Sequence, residues 1–393
     1  MAEIGRKFLE ENPTATLSPT YRIDINGKEV EEGIYRCLLE AVYESSEDMI
    51  DKLELKFNNP KSKLSEMKMF LPGNEISIWV GYKGQVQFLG RGVIYHNKVF
   101  FPNNELSTME LKAYPKSFQM TEKRPVIKKK GDRSVKKKDP TVWKKSSLDL
   151  VFKDIASKLG FKDDCDPCPI KNPVNQPKHM SYYDFCFRLS NLADYYFWVD
   201  GDEKGRWILH FKNPQSVKHE QSDLYTFYYN SGEKTTLFEF EPEIVLTKQY
   251  AKVYTETVLP NGKTLKATFE ENQKNKWDIK SDDPEEEIQK PFDSPNKVKV
   301  YLDDISFFIP QISSLKTDKD LQNYVDLWIK RNSEEFMMGN GKLIGIPNLR
   351  ARQNHKLEGL GKIYDGSWHF TRVKHIINES NGYSCEFDAR RNF

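Results

Sequence analysis

The sequence predicts a mainly β protein with an α+β insert, built from two small, tube-like β-barrel domains, an α+β domain and a helical excursion. Three observations support this class. Aromatic residues make up 13% of the 393 residues, which suits half-buried strands. Short alternating runs are separated by Gly, Asn and Asp along most of the chain. Helical periodicity is concentrated near the middle of the chain and around residue 325.

The pattern divides the chain into five segments. We predict an N-terminal arm (1–18), a first β-barrel domain (19–115), a basic loop or hairpin (116–145), an α+β domain (146–238) and a second β-barrel domain (239–393) with a helix near 317–336. No sequence repeat links the two barrels, although their strand patterns suggest a duplication at the level of fold.

The first barrel begins with a clear strand and turn. Tyr21, Ile23 and Ile25 alternate with polar residues, and Asn26-Gly27 predicts a turn. Further strands are predicted at 38–44, 52–57, 76–82, 86–95 and 109–113, with turns at Lys83-Gly84 and His96-Asn97.

Residues 116–145 are strongly basic. They contain twelve lysines and arginines and three acidic residues, including Lys128–Lys130 and Lys136–Lys138. Such a segment could contact a phosphate backbone or an acidic partner. It could equally be a solvated loop, an interpretation favoured by its scarcity of aromatic residues for base stacking.

Two helices are predicted in the α+β domain. The first is capped by Ser146 and Asp149, has an apolar face around Val151 and Ile155, and stops at Gly160. The second starts at Ser181 with Asp184 three residues on, and its apolar stripe reaches Tyr196. Strands are predicted to follow at 207–211 and 225–229.

The second β region contains strands, one helix and a closing meander. Strands are predicted at 244–254, 264–269 and 297–309, with a turn at Pro260-Asn261-Gly262. The acidic run over 282–287 is interpreted as an exposed loop, with a counter-charge for the basic loop of a neighbouring copy as the alternative. Thr317 and Asp320 cap the helix. The meander, Gly339–Phe393, has strands at 356–360, 367–377 and 383–387, with turns at Asp365-Gly366 and Asn381-Gly382.

No catalytic, cofactor-binding or metal-binding residue is predicted. Cys165 and Cys168 have metal or redox spacing, with His179 and Cys186 as the nearest further ligands, but they lie in a proline-rich loop. We interpret them as free thiols and leave a metal open. Gly339–Lys342 and Gly359–Lys362 lack the hydroxyl residue of a phosphate loop and predict turns. His369 and His375 are interpreted as ordinary sheet residues on one face of a strand.

Composition excludes some partners. The net charge is only +2, so no global field favours nucleic acid or a membrane, and no apolar run approaches the length of a membrane span. The first twenty residues lack the apolar core of a signal peptide, and the five scattered cysteines fit a reducing compartment.

The order of these motifs resembles the late control protein D family of phage tail baseplate hub proteins. The resemblance covers nearly the whole chain. It is carried by Pro19–Gly27, by the hairpin Ile76–Ile94, by Phe101-Pro102 with Met109–Ala113, by the helix Leu148–Phe161, and by the closing hairpin Tyr364–Phe387. Tyr114-Pro115 and the cysteine pair depart from the family pattern.

The resemblance implies a structural virion protein of a phage tail or contractile injection system, without enzymatic activity. It implies a homotrimer whose two barrels per chain form a pseudo-hexameric ring, an adaptor between the six-fold tail tube and a three-fold central spike. The implied partners are that spike protein, a tail tube or tube-initiator protein and baseplate wedge proteins, with DNA only in transit through the channel and no stable membrane association. The implied location is the tail baseplate, after assembly in the host cytoplasm.

Two alternatives stay open at this point. The chain could be a tail-associated cell-wall-degrading enzyme or wall-binding module, since a distant Asp/Glu pair cannot be recognised from sequence. It could also be a nucleic-acid-binding protein that acts through Lys116–Lys145.

Overall fold

The computed structural model describes the greater part of the chain. The described residues are 19–82, 85–103, 105–124, 142–143, 146–170, 174–214, 216–217, 225–245, 252–259, 261–270, 304–308, 317–333, 336–380 and 382–391. Among them, no helix is both long and apolar enough to cross a membrane.

Strands dominate the described residues. They are β1 (Pro19–Ile25), β2 (Lys28–Glu29), β3 (Leu38–Ser46), β4 (Lys52–Asn58), β5 (Glu75–Tyr82), β6 (Gln85–Phe100), β7 (Thr108–Tyr114), β8 (Val142–Trp143), β9 (Lys162–Cys165), β10 (Val174–Asn175), β11 (Tyr196–Gly201), β12 (Trp207–Lys212), β13 (Thr226–Tyr228), β14 (Leu237–Ile244), β15 (Lys252–Val258), β16 (Thr264–Glu270), β17 (Asp304–Phe308), β18 (Met337–Ile344), β19 (Gln353–Glu358), β20 (Gly366–Asn378) and β21 (Gly382–Arg391). The helices are α1 (Glu32–Tyr35), α2 (Ser117–Glu122), α3 (Leu148–Leu159), α4 (Tyr182–Ala193) and α5 (Asp318–Ser333).

One large sheet contains strands from both ends of the chain. Its order is β14-β18-β21-β20-β3-β4-β7-β6-β5-β1-β2, and β19 pairs with both β20 and β13. The step from the closing meander to the first β region is the antiparallel pair β20–β3, which runs from Arg372 opposite Ser46 to Asn378 opposite Glu40. The two β regions predicted from the sequence are therefore hydrogen-bonded to each other.

The β3 strand is central because it is covered on both faces. Its residues from Ala41 to Ser46 are all buried. A strand that is buried on both faces does not alternate between apolar and polar residues, and β3 accordingly buries Glu44, Ser45 and Ser46. These polar groups need partners, and several of those partners come from the meander.

The α+β insertion, which runs from α3 to β12 (residues 148–212), packs the helices α3 and α4 against a separate sheet of order β11-β12-β9. The core is aromatic: the Phe152 and Phe211 rings stack with centroids 4.0 Å apart. Helix α4 begins as predicted, because Ser181 Oγ accepts from Asp184 N at 3.0 Å. Helix α3 ends at Gly160, whose φ of 74° is the left-handed conformation that the sequence predicted.

Two compact units divide the chain. One contains Met1–Glu241 and Asn340–Ala389, and the other contains Pro242–Gly339 and Arg390–Phe393. In the second unit, helix α5 packs on a sheet of order β16-β15-β17, with Val253, Leu265, Leu321 and Val325 buried in its core. The strands predicted for 239–393 are thus distributed over both units. The five-segment division drawn from the sequence stays a prediction.

The predicted fold class, mainly β with an α+β insert, is confirmed. Several local predictions are wrong. His96-Asn97 is not a turn, because β6 continues through a register shift between Ile94 and His96. Gly339–Lys342 is not a turn but part of β18. There the absence of a side chain at Gly341 allows the Glu239 carbonyl and the Phe387 ring to approach, since a Cβ would lie 2.6 and 2.7 Å from them.

Helix boundaries also differ from the prediction. Ser147, not Ser146, precedes α3, and the Asp149 carboxylate accepts from Cys168 N at 3.3 Å instead of capping the helix. The α4 stripe does not reach Tyr196, because Asp194 adopts φ 55° and ends the helix. Residues 117–122 of the predicted basic loop form helix α2.

Some predicted features fall outside the described residues. They are the arm 1–18, the turn Lys83-Gly84, Lys128–Lys130, Lys136–Lys138, the acidic run 282–287 and Asn381. The turns at Asn26-Gly27 and Gly359–Lys362 are confirmed. The turn predicted at Asp365-Gly366 is wrong, because the chain turns over residues 362–364 and Gly366 already pairs with Leu357 as the first residue of β20.

We predict that Gly382→Val destabilises the protein. Gly382 starts β21 with φ 70°, and a Cβ there would lie 3.8 Å from Pro19 Cγ, an ordinary van der Waals contact, so the cost is conformational and not a clash. A left-handed conformation costs a non-glycine residue about 1–2 kcal/mol, and a β-branched residue at least that. Urea titration should show this loss. Gly33→Ala is the control, because Gly33 has ordinary φ and no atom near its Cβ position. Equal stability of the two variants would contradict the prediction.

Candidate functional site

Arg350 joins the closing meander to β6. Its guanidinium donates to four backbone carbonyl oxygens, those of Pro347 (2.6 Å), Leu349 (2.7 Å), Leu89 (2.6 Å) and Phe88 (3.3 Å). A planar fork of donors suits this arrangement, because each N–H points in a fixed direction. One side chain therefore satisfies carbonyl groups of two chain segments that are about 260 residues apart.

Arg352 makes the corresponding link to β3 and to the insertion. It is 6% exposed and has φ 71°, which is unusual for a buried non-glycine residue. Its Nη2 donates to Ser46 O, and its guanidinium lies 4.6 Å from the Trp198 ring centroid. Its Nε has no partner among the described residues. The strained backbone is held because N–H of Arg352 also bonds Phe370 O at 2.7 Å.

Asp51 supplies a carboxylate beside these arginines. Its oxygens accept from Ser46 N at 3.2 Å and from Tyr43 Oη at 3.1 Å. Burial raises the pKa of Asp51 to about 6, although the nearby Arg352 charge opposes the rise. The Tyr43 ring is placed by Gly90, where a Cβ would come within 2.3 Å of the ring.

His369 completes this group. Its Nδ1 lies 2.7 Å from Asn354 Oδ1, and its Nε2 lies 3.2 Å from both Glu47 Oε2 and Tyr196 Oη. The Tyr196 ring, which belongs to the insertion, stacks on the imidazole at 8°. We call Arg350, Arg352, Asp51 and His369 the arginine junction. It binds the meander, the first β region and the insertion together.

A cavity of about 410 Å³ lies beside the junction, between β6 and the insertion. Its charged lining residues carry both signs, and most of them already have partners: Arg91 bonds Glu75 at 2.6 Å, and Arg206 bonds Asp202 at 2.7 Å. Among the described residues that line it, no converging set of unpaired groups would select one ligand.

Two side-chain clusters resemble catalytic arrangements but lack the required chemistry. In the insertion, His210 contacts Asp164 at 2.9 Å and Asp200 at 3.0 Å. Burial opposes its charge, but the two carboxylates outweigh burial and raise the pKa of His210. With both ring nitrogens bonded to carboxylates, the imidazole fastens β12 to its neighbours and has no free nitrogen with which to activate a nucleophile.

The second cluster is His375, Tyr383 and Cys385. Cys385 Sγ lies 3.3 Å and Tyr383 Oη 2.8 Å from His375 Nδ1, while Nε2 lies 2.9 Å from Leu349 O. A carbonyl can only accept, so Nε2 carries the proton. Burial raises the pKa of Cys385 to about 12 and holds that of His375 well below its usual range. The thiol thus stays protonated and sealed in the core, unlike a catalytic cysteine.

The cysteines singled out in the sequence lie in the insertion. Cys165 ends β9, and Cys168 and Cys186 are buried in the core of the insertion. Burial raises the pKa of Cys165 to about 12. Among the described residues, no group of three or more His, Cys, Asp and Glu side chains is placed to hold a metal.

An apolar surface lies at the end of the β6–β7 hairpin. Phe100, Phe101 and Leu106 are 59%, 65% and 64% exposed. The hairpin end is fixed to the segment between β4 and β5. Asn59 N donates to Ser107 O and Ser107 Oγ donates to Asn59 O, both at 2.7 Å. A rigid apolar end of this kind is typical of a protein contact. This hairpin end was not predicted from the sequence, which placed the turn at His96-Asn97 and ended the strand at Tyr95.

Comparison with known proteins assigns the sequence to a family. The family model described as the Alg8 N-terminal domain matches residues 50–379. The chain belongs to the Alg8 N-terminal domain family. No curated protein matches the sequence. The late control protein D resemblance names a different family, and that finer assignment stays a prediction.

Solved structures share the fold of this Alg8 N-terminal domain family member. The 43 kDa tail protein of prophage MuSo2 from Shewanella oneidensis is 9% identical, with a TM-score of 0.66 over 95% of this chain and 98% of that chain. A tail protein from Neisseria meningitidis is 8% identical, with a TM-score of 0.65 over 95% and 97%. An E. coli component of the type VI secretion system is 10% identical, with a TM-score of 0.54 over 94% and 77%. The predicted likeness to phage tail proteins is therefore confirmed at the level of fold.

We predict that Arg350→Met lowers the free energy of unfolding by at least about 2 kcal/mol, because it removes charge-assisted hydrogen bonds from the carbonyls of Pro347, Phe88 and Leu89, while Leu349 O keeps its bond from His375. Arg36→Met is the matched control. Arg36 makes an i,i+4 ion pair with Glu32 but is 76% exposed, so its loss should cost less than about 0.5 kcal/mol. Chemical denaturation of both variants tests this, and equal losses would contradict it.

We also predict an acid-sensitive step from His355. This residue is fully buried against the Phe370 ring, and neither ring nitrogen has a partner among the described residues. Burial, with a smaller contribution from His369, lowers the pKa of His355 to about 3. Below pH 6.5 the unfolded chain binds a proton that the folded chain does not, so this contribution to stability is complete above pH 6.5 and is lost as the pH falls toward 3.

The test is His355→Leu. Between pH 7 and pH 4.5 the variant should lose about 2 kcal/mol less stability than the parent, because each pKa unit corresponds to about 1.4 kcal/mol. Urea titrations at the two pH values measure this difference. Parallel losses in both proteins would contradict the assignment.

Proposed function

We propose that the chain is a structural protein of a phage tail or a related contractile injection device, at the baseplate end. The observation that carries the proposal is the agreement in fold with two proteins described as tail proteins, over almost the full length of both partners in each comparison. A fold shared only through an insertion or one barrel would not support the same role.

Three copies would form a ring. Its six β regions, two from each chain, would be arranged with approximate six-fold symmetry. Such a ring would join a six-fold tail tube to a three-fold spike protein, with wedge proteins outside and DNA in transit within. Two features support this arrangement: the two β regions share one sheet, and the exposed β6–β7 hairpin end offers a contact surface. The late control protein D assignment and the location in the virion baseplate belong to this proposal.

We propose no catalytic role. Both ring nitrogens of His210 are bonded to carboxylates, and the Cys385 thiol is buried in the core.

Sedimentation analysis of the purified chain, alone and with its spike protein, tests the proposal. We expect a species of three chains, alone or on addition of the spike.

Phe101→Ser in the exposed hairpin end should weaken assembly without unfolding the monomer, and Met49→Ser, at another exposed apolar residue, serves as control. A strict monomer under both conditions would contradict the ring. Release of peptidoglycan fragments, abolished by a single Asp or Glu substitution, would favour the wall-degrading alternative.

A further inference from the structure

The strand β14 ends the large sheet. Among the described residues it pairs along the sheet with β18 alone, and its other side has one β-bridge, between Leu237 and Tyr229. Phe238 is 43% exposed, and Glu239 and Glu241 are also exposed. An edge of this kind presents free backbone donors and acceptors to another strand.

A cavity of about 560 Å³ opens beside this edge. Phe240 and Phe387 form its aromatic floor, with ring centroids 5.8 Å apart at an angle of 14°. The cavity exists because Gly341 has no side chain, since a Cβ there would lie 2.7 Å from the Phe387 ring. The space is therefore part of the fold of β18 and β21.

The walls of the cavity are acidic. Glu386 and Asp388 are paired with Lys374 at 3.1 Å and Arg372 at 2.6 Å. Glu239 and Glu241, the third and fifth residues of β14, have no ionic partner among the described residues, and Lys342 is the one remaining cation of the lining. Aromatic faces and carboxylates together favour a lysine or arginine side chain and disfavour phosphate.

The chain itself carries a segment with the complementary charge. Residues 116–145 hold twelve lysines and arginines and three acidic residues, so the remainder of this +2 chain has a net charge of −7. Within that segment, Val126-Ile127 and Val135 adjoin the two lysine triplets, which provides apolar and basic side chains close together.

We propose that the lysine-rich segment 125–138 of a second copy adds to the free edge of β14 and places a lysine side chain in the adjacent acidic cavity. Backbone hydrogen bonds along 238–241 provide the pairing, and the Glu239 and Glu241 carboxylates select a basic segment. Pro242 lacks an N–H and so limits the pairing to the first half of the strand. The proposal rests on the edge and the cavity and does not require the ring of three.

The test uses a fluorescent peptide with the sequence of residues 124–141. The receptor is the full chain in which Lys128–Lys130 and Lys136–Lys138 are replaced by Ser, so that its own segment does not compete. We expect saturable binding by anisotropy that weakens at least about tenfold in Glu239→Gln/Glu241→Gln, because a desolvated charge pair is lost. The matched control is Glu31→Gln/Glu66→Gln, at two exposed acidic residues elsewhere, which should bind as the receptor does.

Hydrogen exchange of the same complex tests the strand pairing. The amides of residues 238–241 should become protected when the peptide is bound, whereas amides of α1 should not change. Equal weakening in both double variants, or binding without protection at β14, would overturn the proposal. Absence of binding at low salt would overturn it as well, and neither result would affect the sedimentation test of the ring.

Discussion

The structure of the first compact unit depends on two arginines at one junction. Arg350 and Arg352 come from the loop that precedes β19, and they donate to carbonyl groups of β6 and β3. Carbonyl groups at such a meeting point would otherwise be buried without partners, which costs about 1–3 kcal/mol each. The two side chains also reach aromatic rings, Tyr43 in the sheet and Trp198 in the insertion. A single loop therefore fixes three parts of the chain that are distant in sequence.

This junction explains why the closing meander is more than a separate hairpin unit. Its strand β20 pairs with β3 over seven residue pairs, and the arginines secure the neighbouring loop to the same strand. Around them, His369 and Asp51 provide polar contacts that have defined partners, in place of a purely apolar seam. Buried polar networks of this kind specify one arrangement, because each member has few alternative partners.

The sequence predicted what local chemistry controls. The Ser181 cap, the Gly160 stop and the turn at Gly27 follow from side-chain hydrogen bonding and from positive φ, and all are present. The errors arose where tertiary contacts override local preference. The sequence Gly339–Lys342 predicts a turn but forms part of β18. Gly341 is needed there because β14 and the Phe387 ring pack closely against β18 at this residue. The arginine junction could not be predicted, because Arg350 and Arg352 lie among other basic residues and their acceptors are backbone atoms.

Electron cryo-microscopy of the assembled tail particle tests the central claim, that this chain is a structural component on the particle axis. We expect density for three copies around the axis, between the tail tube and the spike, with the two β regions of each copy alternating around the ring. A particle that lacks the chain, or that carries it only at the periphery in another symmetry, would contradict the account.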